Sequence, residues 1–160
     1  MRTIVTKRSQ QRGSALIEIS VSYAALTIVS LLILKASVNS ISTQNWTVKQ
    51  SLTDAYITRE SALASRVPFA DLTSGSSLWP LFPNKATSVV TIGKLPGAAT
   101  VTATLHRTRI PDGNNRTVAG GSGTEETNPS DSEAWKLQSI LVYNVGEKEY
   151  VKSRTMLRIR

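Results

Sequence analysis

The chain has no cysteine, a single histidine, and neither glycine nor proline between Ser14 and Val67. Without cysteine there is no disulfide staple and no thiol chemistry, so any exported domain must hold together by packing alone. The lone histidine, His106, has no cysteine or second histidine nearby and defines neither a metal site nor a catalytic base. No G-x-S-x-G elbow, phosphate loop or metal-ligand cluster stands elsewhere. These gaps argue against an enzyme, and no cofactor or metal is expected. The one glycine-rich piece, Ala119 to Gly123, lies in a polar stretch rather than between a strand and a helix, and reads as flexibility. The missing breakers leave room for one very long helix.

What is present begins with RGSALIEISVSYAALTIVSLLIL, Arg12 to Leu34, in which Glu18 is the only charge after Arg12. At a rise of ~1.5 Å per residue, Ser14 to Leu34 spans roughly 31 Å, close to the ~30 Å hydrocarbon thickness of a bilayer. The segment is expected to cross a membrane once, as a helix. A carboxylate near mid-bilayer costs about 2.5–3.5 kcal/mol, and less toward the ends. Leu, Ile and Val at the helix centre each return about 0.3–0.6 kcal/mol, and many stand between Leu16 and Leu34, so insertion wins. No basic side chain inside the segment can pair with Glu18, and its partner must come from elsewhere.

Gly13, Ser14, Ala15, Leu16, Ile17 and Glu18, behind a short basic leader and ahead of about twenty apolar residues, resemble the class III signal of bacterial type IV prepilins and type II secretion pseudopilins. The resemblance covers roughly the first third of the chain. It implies that a membrane aspartyl peptidase, the prepilin peptidase, cuts after Gly13 and methylates the new terminus at Ser14. It also implies that Glu18 pairs with the terminal amine of a neighbouring pilin or pseudopilin subunit. The role implied is that of a minor pilin or pseudopilin assembling through its N-terminal helix into a type IV pilus or type II secretion pseudopilus filament. Two residues depart from the pattern. The first mature residue in the family is usually phenylalanine, whereas here it is Ser14. Many major pilins also break the helix about twenty residues in, which points this chain away from a major pilin. The competing reading is a single-span envelope-anchored protein that keeps its leader and carries an outward β domain. A cleaved secretory signal fits less well, because the apolar run ends at Lys35 without a small-residue cleavage site.

The net charge is +8, but Arg2, Lys7, Arg8 and Arg12 lie in a leader without acids, leaving 15 basic and 11 acidic residues beyond it. That leader holds the amino terminus in the cytoplasm, so the protein is expected in the inner (cytoplasmic) membrane as a single pass with its C-terminal domain outside. The expected organisation is a cleaved leader at 1–13, a membrane and filament-core helix at 14–34, an amphipathic half-helix at 35–67 and a soluble β domain at 68–160. Within the span, Ser20, Tyr23, Ala24, Thr27 and Ser30 share one face; their small and hydroxylated side chains either bond across to a neighbouring helix or back to their own carbonyls. Beyond Lys35, Val38, Ile41, Val48, Leu52, Ala55, Leu63 and Val67 form an apolar stripe at helical spacing. Pro68 ends it, giving one helix from about Ala15 to Arg66.

Residues 67–83, VPFADLTSGSSLWPLFP, read as an ordered connector pinned by aromatics. Val89 to Ile92 and Ala99 to His106 then read as strands, the second with threonines and His106 on one face. Ile110 to Glu133 reads as a long solvated loop. Its Asp112, Asn114, Glu125, Glu126 and Asp131 offer oxygens but match no calcium loop. The chain ends in a hairpin: Trp135 to Tyr143, a turn at Asn144 to Lys148, and a last strand with Val151, Thr155, Leu157 and Ile159 on one face and Lys152, Arg154, Arg158 and Arg160 on the other. That basic face, joined by Arg107 and Arg109, is expected outward, as a contact for an acidic partner or, in a DNA-binding minor pilin, for nucleic acid. The fold class expected is α+β and pilin-like, a long N-terminal helix whose second half packs on a small antiparallel sheet.

Overall fold

The computed structural model describes residues 8–97 and 99–160, with side chains from residue 14 onward. Arg2 and Lys7 of the expected leader therefore lie outside the described residues, and Arg8 to Gly13 are described by backbone alone. Helix α1 runs Arg8–Arg66 and starts earlier than Ala15, since Gln10, Gln11 and Arg12 are good helix formers opposed only by Gly13. Its end is where the sequence places it. Val67 still donates its N–H to the Leu63 carbonyl, and Pro68 (φ −54°, ψ 144°) turns the chain away.

The chain divides into two compact units, Met1–Gln44 and Asn45–Arg160, so the change falls within the expected 35–67 segment. In the first unit every large apolar side chain from Leu16 to Leu34 is more than half exposed. This is the one candidate membrane-spanning helix among the described residues, near the N-terminus. The hydroxyls of Ser20, Thr27 and Ser30 donate to the carbonyls four residues back, at 2.8 Å each, so they are satisfied within their own helix.

The second unit packs the rest of α1 on a sheet of four antiparallel strands in the order β1-β2-β3-β4: β1 (Ala86–Lys94), β2 (Thr100–Pro111), β3 (Ala134–Val145) and β4 (Lys148–Ile159). The first two strands are longer than the β-branched runs that announce them. A two-residue turn, Gly146-Glu147, joins β3 to β4, with Gly146 at φ +63° supplying the left-handed conformation.

Alternation decides what faces the helix. Val101, Ala103 and Leu105 of β2 and Leu141 and Tyr143 of β3 bury with Ile57 of α1 and Ile92 of β1 in one apolar cluster. A second cluster gathers Ala64, Leu72, Trp79, Trp135 and Leu137. Leu72 and Trp79 are fully buried and belong to the connector, which is ordered as expected, although Leu78 and Phe82 stay exposed and a short helix α2 (Phe69–Thr73) appears that the sequence does not announce. At ~25 cal/mol per Å² of apolar surface removed from water, a fully buried side chain of this size contributes about 2–3 kcal/mol, so this cluster holds the connector against the sheet.

The stretch after Pro111 is more than a solvated loop. Asn115, 2 % exposed, donates Nδ2–H to the Ala134 carbonyl at 2.7 Å and accepts the Ala134 N–H at 2.8 Å. Asn128, also buried, binds the carbonyls of Asn114 and Ser132 and accepts the Ser132 N–H. Side-chain amides thus stand in for a strand pairing that the polar sequence lacks.

Candidate functional site: the N-terminal segment and the charged inner face of the sheet

Gly13 and Ser14 lie inside α1 rather than before it. Glu18, one turn further, is exposed, and among the described residues it has neither an ion pair nor a side-chain hydrogen bond. The helix therefore offers an isolated carboxylate at the head of a bare apolar surface. In water that would be unremarkable. In hydrocarbon it demands a cation or a donor from outside the chain's own apolar run.

The second candidate group sits otherwise than expected. Lys152 faces α1: its Nζ donates to the Gln50 carbonyl (3.3 Å) and the Thr53 hydroxyl (3.1 Å) and pairs with Asp54 at 2.7 Å. Arg158 donates to the Ala64 carbonyl in the last turn of α1, where a cation meets the negative end of the helix dipole. Arg154 and Arg160 stay exposed. The basic face of β4 is thus the inner face of the sheet, and half of it is spent anchoring the helix. The outward face carries Val151, Leu157 and Ile159, each more than half exposed.

Arg107 and Arg109 are not part of an outward patch either. Arg107 donates from Nε and Nη2 to both oxygens of Glu60, at 2.7 and 2.8 Å, and lies over the Trp79 ring at 5.4 Å. Glu60 is 3 % exposed, so this is a buried bidentate pair. Among the described residues Arg109 has no carboxylate partner. Its guanidinium donates to the carbonyls of Leu72, Thr73, Ser74 and Trp79, the first three being the C-terminal end of α2 and the residue after it, and it lies 5.2 Å from the Trp135 ring. Burial lowers its pKa from the usual arginine value, while the carbonyl dipoles take the place of a counter-ion.

Together these groups form a polar belt between the two apolar clusters. The register sets Arg107 opposite Ser139 and Ser139 opposite Arg154, and the Ser139 hydroxyl accepts Trp79 Nε1–H at 3.1 Å. Arg107 and Arg109 are arginines that reading the sequence misplaces. A signal was available, because extending the Val101, Ala103, Leu105 alternation by two and four residues puts both arginines on the covered face.

His106 lies on the threonine face, its Nδ1 2.9 Å from the Thr87 hydroxyl. In the loop, Asp112 pairs with Lys136 at 3.0 Å and Asp131 with Arg116 at 3.8 Å, while Glu125 and Glu126 are exposed. No group of three metal-ligating side chains occurs among the described residues.

Comparison of the chain with family models, with characterised proteins and with solved structures finds no match.

Proposed function

We propose that this chain is a pilin-like subunit, of minor-pilin or pseudopilin type, whose activity is assembly into a type IV pilus or type II secretion pseudopilus filament. The observation that carries the reading is Gly13, Ser14 and Glu18 at the head of an unbroken apolar helix, with the carboxylate unpartnered among the described residues. In this account the leader's positive charges hold Gly13 at the cytoplasmic face, where the prepilin peptidase cuts after it. Gly13 is the weak point of α1, since glycine costs about 1 kcal/mol relative to alanine within a helix and opens it most readily for cleavage. The new amine at Ser14 then meets Glu18 of a neighbour in low dielectric as the spanning helices bundle. No further charge inside the span competes for it.

The test is the intact mass and amino-terminal sequence of the full chain from its native membrane. A chain starting at N-methylated Ser14 is expected, with Glu18→Gln processed normally but incorporated into filaments about tenfold less or worse. A chain starting at Met1 overturns the processing step. Normal incorporation of Glu18→Gln overturns the pairing. A DNA-binding role gains nothing from the inner face of the sheet, where Lys152 and Arg158 are held against α1.

A further inference from the structure

We infer that the outward face of the β-sheet is a contact surface for a second copy of this chain, face to face. The inference concerns the second unit alone and does not rest on the assembly reading.

The covered face of the sheet holds cations beside its apolar core, and the uncovered face keeps an exposed apolar row. The cations Arg107, Arg109, Lys152 and Arg158 point toward α1 or α2, while the uncovered side sets apolar residues among threonines and carries Lys94, Lys136 and Glu149. One cross-strand row shows this across all four strands: Val89 pairs with Thr104, Thr104 with Val142, and Val142 with Val151. Val89 is 76 % exposed and Val151 60 %. Toward the other end, Ile110 lies opposite Lys136 and Lys136 opposite Leu157, with Ile159 beyond it. Two basic groups of the face are already engaged, Lys136 by Asp112 and His106 by Thr87, and the same face carries Lys94 and Glu149.

Charge and area choose the occupant. A face that recognised an acidic or basic partner would display an excess of the opposite charge, and this one sets Lys94 against Glu149 and Lys136 against Asp112. A face of balanced charge, by contrast, meets its own copy without net like-charge opposition, as a two-fold contact needs. Four strands ~4.8 Å apart and about eleven residues long at ~3.3 Å present roughly 700 Å². Two such faces bury about 1,400 Å², within the standard range for a stable interface of roughly 1,200–2,000 Å². Sheets so paired lie ~10 Å apart with side chains interdigitated. Beside the face, Phe82, Lys85, His106, Ile110 and Ile140 line a groove of about 220 Å³, which gives the facing copy a socket for a side chain.

The experiment is sedimentation equilibrium of the full chain in a density-matched nonionic detergent, comparing wild type, Val89→Lys/Val151→Lys and Glu18→Gln. Wild type is expected to dimerise with a Kd in the micromolar range or tighter. The double lysine variant is expected to raise that Kd at least about a hundredfold, because four ammonium groups would enter one neutral interface. Glu18→Gln is expected to leave it unchanged, which separates this contact from any made by the spanning helix. Both lysine sites are exposed, and if the double variant nevertheless loses its native tryptophan fluorescence, Leu157→Lys takes its place, with two ammonium groups at the interface and a Kd raised at least about tenfold. A wild type that stays monomeric at about 100 µM, a dimer that survives the lysines, or a dimer lost in Glu18→Gln overturns the inference.

Discussion

Replacing Glu60 by alanine tests the central claim about the inner face, that its charges hold the fold together rather than greet a partner. The carboxylate is 3 % exposed and accepts two hydrogen bonds from Arg107, whose side chain is 17 % exposed. Removing one member of a buried pair leaves the other desolvated and costs about 3–5 kcal/mol. Arg107 keeps some solvent and its seat over Trp79, 5.4 Å away, so the lower end, about 3 kcal/mol, is expected. Glu60→Leu with Arg107→Met removes both charges at similar volume and should return stability to within about 1 kcal/mol of wild type. Urea unfolding of the full chain in detergent, followed by tryptophan fluorescence in a Trp46→Phe background, reads the second unit. Trp79 is fully buried and Trp135 nearly so, whereas Trp46 is 46 % exposed and would blur the signal. A loss below about 1 kcal/mol for Glu60→Ala, or a double variant no more stable than the single one, would refute the reasoning.

Two further outcomes follow from the same geometry. Arg109→Lys keeps the charge but cannot reach four carbonyls from one ammonium, so it should cost about 2–3 kcal/mol in the same unfolding assay; a loss under 1 kcal/mol would show that the carbonyl cluster does not depend on the guanidinium fork. Asp112 has its pKa lowered from 3.8, first by the Asn114 N–H and then by Lys136, so it adds stability above that pH and loses it as pH falls through the depressed folded value. Asp112→Asn should therefore flatten part of the acid limb of stability below pH 3.8, and an unchanged limb would remove Asp112 from the account.

Much of the fold was legible because its signals are local. The unbroken helix to Arg66 follows from the absence of breakers and from Pro68, and the final hairpin from its alternation around Gly146. The ordering of the loop was not legible, because Asn115 and Asn128 look like any loop asparagine until their carbonyl partners are placed. Helix α2 was hidden for a similar reason. Five residues are too few to show a period, and this helix exists because Leu72 is buried beneath it and Arg109 holds its terminal carbonyls.

The covered position of the sheet's cations is the more instructive miss. A period of two tells which residues share a face of a strand, but not which face is covered. Reading Lys152, Arg154, Arg158 and Arg160 as outward assumes that water is the only good partner for a cation. Helix α1 supplies others: the Gln50 carbonyl, Asp54, Glu60 and the Ala64 carbonyl stand along the side that meets the sheet, at spacings of four to six residues. Those acceptors decide the orientation. Turning β4 over would bury Val151, Leu157 and Ile159 against α1, yet it would take Arg158 from the Ala64 carbonyl and set β3 with its apolar Trp135, Leu137 and Leu141 facing outward, since neighbouring strands turn together. The sheet keeps the larger buried set of β3 and accepts an exposed apolar row on β4. That row is the part of the sequence whose burial the single chain does not complete.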